Sequence, residues 1–319
     1  MSDAKKRRTP LIPANAGIQI ESALGPRFRG DERKKEVTPL GIICGGGSIP
    51  IAIAKAVEAR GRPVMLFPLH GFADKAVERF PHHWVHLGAV GRLLSAMRKA
   101  GCRDIVLIGS LVRPRPWHVR FDLTTVFVLA KLVPHFRGGD DKLLKAVAAM
   151  FEERGFRLVG AHEAAPEILM AEGVVGKVQP SAADGEDIDL GRELLGVMGP
   201  YDVGQAVAVA DRHIVAVEAA EGTAGMLTRI AELRSSGRLK LPARAGVLVK
   251  APKPGQDRRV DLPAIGPFTV AQAKAAGLAG IAVEAGGTIV ADTAALIRAA
   301  DKAGLFVLGF PPKRAKARG

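Results

Sequence analysis

Cysteine, tyrosine and tryptophan are nearly missing from this chain: 2 Cys, 1 Tyr and 2 Trp in 319 residues, with aromatics at 5%. Cys44 and Cys102 each lie in or beside an apolar segment and form no Cys-x-x-Cys. No disulfide framework is expected, and both read as small buried hydrophobes in a reducing compartment. The shortage of aromatics also works against nucleic-acid binding, which uses exposed rings among its cations as stacking platforms. No stretch reaches about 18 uninterrupted apolar residues, the length that a bilayer-spanning helix needs. The N-terminal residues are basic but lack a continuous apolar run, so no secretory signal is expected.

Charge is plentiful but unevenly placed. Of the formal net charge of +14, residues 1–36 carry +4 and the tail from Pro311 another +4, leaving +6 on the body. Such an excess suits anionic substrates, or contact with an anionic membrane surface, better than nucleic acid. With 48% hydrophobic residues, rich in Ala, Val and Leu, the chain reads as an α/β protein of one or two domains.

Residues 1–38 are polar and aperiodic, and the pieces Ile12–Gln19 and Leu24–Asp31 look like a translated interspersed repeat of bacterial genomes. They are expected to form a disordered extension. From Leu40 onward apolar strands alternate with helical stretches. The expected layout is a Rossmann-like α/β domain over 39–166, a linker over 167–178, a second α/β domain over 179–311, and a basic tail over 312–319. The most apolar long segment, Trp117–Val133, reads first as a core helix and otherwise as an acyl-chain wall or an interfacial helix.

Several loops carry chemistry. After the first strand, Gly45-Gly46-Gly47-Ser48 opens a helix, the arrangement that lets backbone N–H groups approach a phosphate. It lacks the third glycine of the dinucleotide fingerprint, and no acid ends the next strand to hold a ribose. Gly46, Gly47 and Ser48 are therefore candidates for substrate rather than NAD, with a merely structural turn as the alternative. Asp140 and Asp141, after two glycines, read equally as helix caps or as ligands of a divalent ion beside a phosphate. The cluster His82, His83 and His86 has no acidic or Cys partner nearby and reads as an exposed loop. Glu221 and Thr223 either cap the following helix or face substrate.

The segment from Gly246 to Gly266 stands out. An apolar strand runs into Lys250, Lys253, Arg258, Arg259 and Asp261, flanked by Pro252, Pro254 and Pro263. The prolines fix φ and remove backbone donors, which makes this a stiff extended loop, and four cations around one acid suit an anionic ligand such as phosphate.

Read in order, GIICGGGSIP, GGDDKLLK, GAHE, DVGQAV, VEAAEGT and VLVKAPKPGQDRRVDLPAIG resemble the metal-dependent UDP-2,3-diacylglucosamine pyrophosphatases of lipid A biosynthesis, the type unrelated to the calcineurin-like phosphoesterases. The resemblance spans roughly Leu40 to Phe310. It implies two α/β domains with a lipid-linked sugar nucleotide between them. It also implies Mg²⁺-dependent hydrolysis of the diphosphate to UMP and 2,3-diacylglucosamine 1-phosphate, with water attacking the sugar-side phosphorus. Asp261 falls on the critical aspartate of the R-V-D-L-P motif. On this reading Asp261, Lys250 and Lys253 are catalytic, and Asp261 holds the metal with a second carboxylate from among Asp141, Asp140, Glu218 and Glu221. Gly46, Gly47, Ser48, Gln205, Glu221, Gly222, Thr223 and Arg258 bind substrate. A cytoplasmic location with peripheral contact to the inner membrane is expected, and a homodimer is compatible. The competing readings are a non-enzymatic lipid or sugar-nucleotide binding protein and, less favoured, an NAD-type oxidoreductase.

Overall fold

The computed structural model describes residues 37–111, 119–132 and 140–312. Nearly all of the expected N-terminal extension and basic tail therefore lie outside the described residues.

The first domain alternates strand and helix: β1 (Leu40–Cys44), α1 (Ile49–Ala59), β2 (Val64–Pro68), α2 (Val90–Lys99), β3 (Asp104–Ile108), α3 (Leu123–Leu132), α4 (Asp140–Glu152), β4 (Arg157–Leu158) and the single turn α5 (Ala161–Ala164). The strands form one parallel sheet in the order β2-β1-β3-β4. Every residue of β1 is buried, as a parallel strand covered on both faces requires. The chain leaves β1 toward β2 on one side and later returns to β3 on the other. This places a topological switch point outside the carboxyl ends of β1 and β3, where open α/β sheets bind ligands.

The second domain comprises β5 (Gly173–Val175), α6 (Ala182–Met198), β6 (Ala206–Ala210), β7 (His213–Val217), α7 (Gly222–Ser235), β8 (Val247–Lys250), β9 (Ala264–Ile265), α8 (Pro267–Ala275), β10 (Gly280–Glu284), β11 (Ile289–Val290), α9 (Thr293–Ala303) and β12 (Phe306–Phe310). Its main sheet runs β5-β12-β10-β8-β6-β7, and β9 and β11 make a separate parallel pair. Strands β8, β10 and β12 are parallel, with antiparallel strands at both ends. The β6–β7 hairpin turns at Asp211 and Arg212, both at positive φ. Two non-glycine residues hold that conformation because the buried Asp187 carboxylate accepts from both of their amides.

Two sequence expectations change here. The stretch read as a linker, 167–178, contains β5, which pairs antiparallel with β12 and so belongs to the second sheet. With three residues and no alternation, β5 has no periodic signal to betray it. The segment read first as a core helix, Trp117–Val133, whose ends lie outside the described residues, holds α3 from Leu123, and among the described side chains of that helix Thr125 and Val128 are buried while Leu123, Val126 and Phe127 are exposed. Hydropathy alone does not tell a helix enclosed by protein from one lying on a surface.

The domains meet through the loop between β8 and β9. Val260 packs with the cluster formed by β1, β2, α2 and α4 residues, Leu262 and Ala264 pack with the cluster around α1, and Ile265 belongs to the core of the second domain. Apolar side chains are worth about 1.5–3 kcal/mol each when fully buried, so even partial burial of three of them fastens this loop across the junction. Arg259 adds an ion pair with Glu152 of α4 at 2.6 Å.

Candidate active site

Asp261 follows Val260 directly and is therefore delivered to the junction by packing. Gln205, at the start of β6, donates through Nε2 to Asp261 Oδ2 at 2.8 Å, and Gln256 Nε2 donates to the same oxygen. Gln256 is held in turn by the Lys253 amide, which donates to its Oε1 at 2.9 Å. Two amides therefore converge on one carboxylate oxygen and hold it in place. Because Asp261 accepts, the Gln205 amide is oriented with Oε1 turned the other way, and that oxygen is buried with no protein partner. A buried acceptor without a donor is costly, which makes Gln205 Oε1 a ready acceptor for a bound donor.

A second chain of hydrogen bonds lies beside it. Glu218, just after β7, accepts from the Gln205 backbone N–H at 2.9 Å and from Thr223 Oγ1 at 2.8 Å. Thr223 Oγ1 accepts from Lys250 Nζ at 2.9 Å, and Lys250 also donates to the Ala264 carbonyl at 3.3 Å. Lys250 closes β8 and is only 6% exposed. Burial pulls its pKa below the ordinary lysine value, while the charges of Glu218 and Asp261 pull it back up. Gly204 is required for this assembly, since a Cβ there would lie 2.3 Å from the Glu218 carbonyl. Lys253 pairs with Asp202, which adopts the left-handed conformation at the mouth of the same site.

Two cavities share Asp261. One, of about 590 Å³, is lined by the charged and polar side chains of Asp202, Gln205, Glu218, Lys250, Lys253 and Gln256 among others and is the more polar of the two. The other, of about 530 Å³, is bordered by the glycine loop and by apolar side chains including Ile43, Leu107, Leu111, Leu144 and Ile265. Asp261 and Leu262 stand on the boundary between them.

Measured against the sequence expectations, Asp261, Lys250, Lys253, Gln205, Gly222 and Thr223 come together at the polar cavity. The glycine loop reaches the site but not in the way expected. Gly46 N donates to the Ser110 carbonyl at 2.9 Å and Gly47 N to Asp74 Oδ2 at 3.1 Å, so neither amide is presented to a phosphate. The glycines serve close packing instead: a Cβ on Gly45 would lie 2.6 Å from the Ser110 carbonyl, and one on Gly46 2.9 Å from that of Phe72. Ser48 precedes α1 without a side-chain capping bond and lines the apolar cavity.

Arg258 is turned away from Asp261, donating to Glu284 at 2.8 Å and lining a separate cleft. Glu221 is likewise committed to Arg229 at 2.8 Å. Each has a closer opposite charge on its own side of the fold, which spacing in sequence does not reveal. Asp140 and Asp141 open α4, and their side chains lie outside the described residues. Among the described residues no group of three His, Cys, Asp or Glu side chains converges as a metal cage. His82 and His83 are exposed, as a loop reading expects, whereas His86 is half-buried, its ring tilted against that of His70 with centroids 4.2 Å apart. Sequence reasoning did not single out Asp202 or Gln256 as functional; the one available signal was their place inside the DVGQ and KPGQD stretches.

One family model, described as LpxI N-terminal domain, matches residues 39–168, and another, described as LpxI C-terminal domain, matches 171–308. A curated relative from Caulobacter vibrioides, named UDP-2,3-diacylglucosamine pyrophosphatase LpxI, is 42% identical over 274 residues, covering 86% of this chain and 98% of the relative. A UDP-glucose 4-epimerase from Thermus thermophilus, solved with NAD, aligns over 86% of this chain and 87% of its own, but at 16% identity and a TM-score of 0.27 it carries no argument. Two domain models that cover the ordered body in sequence, and a relative matched along nearly its whole length, establish that this chain belongs to the LpxI family.

Proposed function

We propose that the protein hydrolyses the diphosphate of UDP-2,3-diacylglucosamine, releasing UMP and 2,3-diacylglucosamine 1-phosphate for lipid A synthesis. The observation that carries this reading is the position of Asp261 on the boundary of a polar and an apolar cavity. A substrate with a diphosphate between a hydrophilic nucleoside and an acylated sugar has the same division.

Diphosphate hydrolysis asks a protein for charge neutralisation and an aligned water rather than covalent chemistry. Lys250 and Lys253 supply the positive charge, the first from a fixed, buried position and the second from the cavity mouth. Asp261, held at Oδ2 by two glutamines, orients the water toward the sugar-side phosphorus and accepts its hydrogen bond. Thr223 and Glu218 hold Lys250 in place.

The donor set also fits Mg²⁺, which takes one or two carboxylates and fills its remaining positions with waters and phosphate oxygens. Asp261 is the residue we assign to it, with Asp140 or Asp141 as the second carboxylate. Bound there, the ion would neutralise charge on the phosphates.

We place the protein in the cytoplasm, in peripheral contact with the inner membrane, where its acylated substrate resides. Among the described residues no helix is long and apolar enough to cross a membrane. Both cysteines are buried and reduced, with the Cys44 thiol pushed up to about 12 and that of Cys102 to about 11 by desolvation, which suits a reducing compartment.

The test is incubation with UDP-2,3-diacylglucosamine and Mg²⁺ in ¹⁸O-water. UMP release that EDTA abolishes, with the label on the lipid phosphate, is the expected result. Ligand retained without turnover would overturn the reading in favour of a binding protein, and label on UMP would move the attack to the other phosphorus.

A further inference from the structure

The outer face of α3 is apolar and without protein cover among the described residues. Leu123, Val126 and Phe127, at i, i+3 and i+4, lie on one side of the helix and are 82%, 56% and 74% exposed, and Phe121 just before them is 64% exposed. The opposite side, with Thr125 and Val128, is buried against the domain. Single exposed hydrophobes are ordinary, but a contiguous patch of this size marks an interaction surface.

Its surroundings carry one sign of charge. Arg120 precedes the patch, and Arg92 is held next to it, since the Arg92 amide donates to Asp122 Oδ2 at 3.1 Å. Residues 89–103, which include α2, contain Arg92, Arg98, Lys99 and Arg103 and no acid, and all four side chains are exposed. The acid nearest the patch in sequence, Asp122, is engaged by Arg92 N, Thr125 N and Thr125 Oγ1. The patch is also continuous with the site. α3 packs against α4, and α4 places Leu144 in the wall of the apolar cavity, to which the exposed Leu111 also contributes.

We propose that the α3 face, flanked by Arg92 and Arg120, docks on an anionic phospholipid bilayer. Cations drawn to the headgroups would seat Phe121, Leu123, Val126 and Phe127 at the acyl boundary. Acyl chains would then pass from the bilayer toward the cavity wall at Leu111 and Leu144. This deepens the membrane contact of the proposed function and rests on it for the direction of substrate entry, but binding to lipid can be measured without turnover.

The full chain is mixed with vesicles of phosphatidylcholine alone and of phosphatidylcholine with phosphatidylglycerol, and the fraction sedimenting is measured. Binding to the anionic vesicles is expected, at least tenfold weaker in a Leu123→Ser/Phe127→Ser variant and several-fold weaker in Arg92→Gln/Arg120→Gln, with circular dichroism unchanged. The Ser variant is further expected to lose at least tenfold in turnover of vesicle-embedded substrate, while turnover of a short-acyl, water-soluble analogue stays within threefold. Wild-type protein left in the supernatant, or a variant that sediments like wild type, would overturn the docking proposal. So would a concentration-dependent dimer abolished by the Ser variant, which would assign the face to a second copy. Vesicle binding without turnover of either substrate would instead overturn the hydrolase reading and leave the docking surface intact.

Discussion

Two loops of this molecule look alike in sequence and behave differently in space. Gly45–Ser48 after β1 and Lys250–Gly266 after β8 both leave the carboxyl end of a buried parallel strand, and both read as places for a phosphate. In the first, the amides of Gly46 and Gly47 are taken by Ser110 and Asp74. In the second, Lys250 and Asp261 converge on a cavity through side chains that the prolines and Val260 hold in position. A glycine run reports only that backbones approach closely. Charge on a segment too stiff to follow the core reports a ligand, because nothing else offsets the cost of placing it there.

The contrast can be broken experimentally. Asp261→Ala should have the largest effect, lowering kcat by about 10³ while substrate still binds, because the loss falls on the transition state rather than on acyl contacts. Retained turnover in steady-state assays would remove Asp261 from the chemistry. Lys250→Met should lower kcat/KM by about 10²-fold, the scale of losing one preorganised charge at a reacting phosphate.

Gly45→Ala should act on the fold instead. Its Cβ meets backbone that cannot move aside, and overpacking of this kind costs about 1–3 kcal/mol. The thermal midpoint should fall while kcat per folded molecule stays within threefold. A large kcat loss at unchanged stability would return the glycine loop to the chemistry.

The smallest effect concerns acid. Hydrogen bonds from Arg259 hold the Asp257 carboxyl below its usual pKa despite partial burial. Its contribution is then fully present above an unfolded value of about 4 and is lost as pH falls through the lower folded value. Asp257→Asn should flatten the acid limb of a stability profile below pH 4 and leave stability at pH 7 slightly reduced. An unchanged acid limb would show that the Asp257–Arg259 pair does not fasten the loop.

Much of the site was legible beforehand where residue type and stiffness coincided. Lys250, Lys253 and Asp261 declared themselves through charge among prolines. Arg258 and Glu221 misled because each carries the right charge within the right stretch, yet Glu284 and Arg229 lie closer in space. Gln256 was silent, since a neutral amide in a polar loop has no distinguishing pattern. The strands and helices followed from apolar alternation, except β5, β9 and the single turn α5, too short to show a period, and α3, whose hydropathy fits a core and a surface equally.

The sequence by itself determined the α/β alternation, the stiff charged loop and the absence of disulfide chemistry, because these depend on local periodicity, proline geometry and composition. Only the tertiary structure decided which charges meet. Val260, Leu262 and Ala264 bury themselves in the first domain, and that burial carries Asp261, contributed by the second, to the boundary of the two cavities, a placement set by long-range packing that no local pattern encodes.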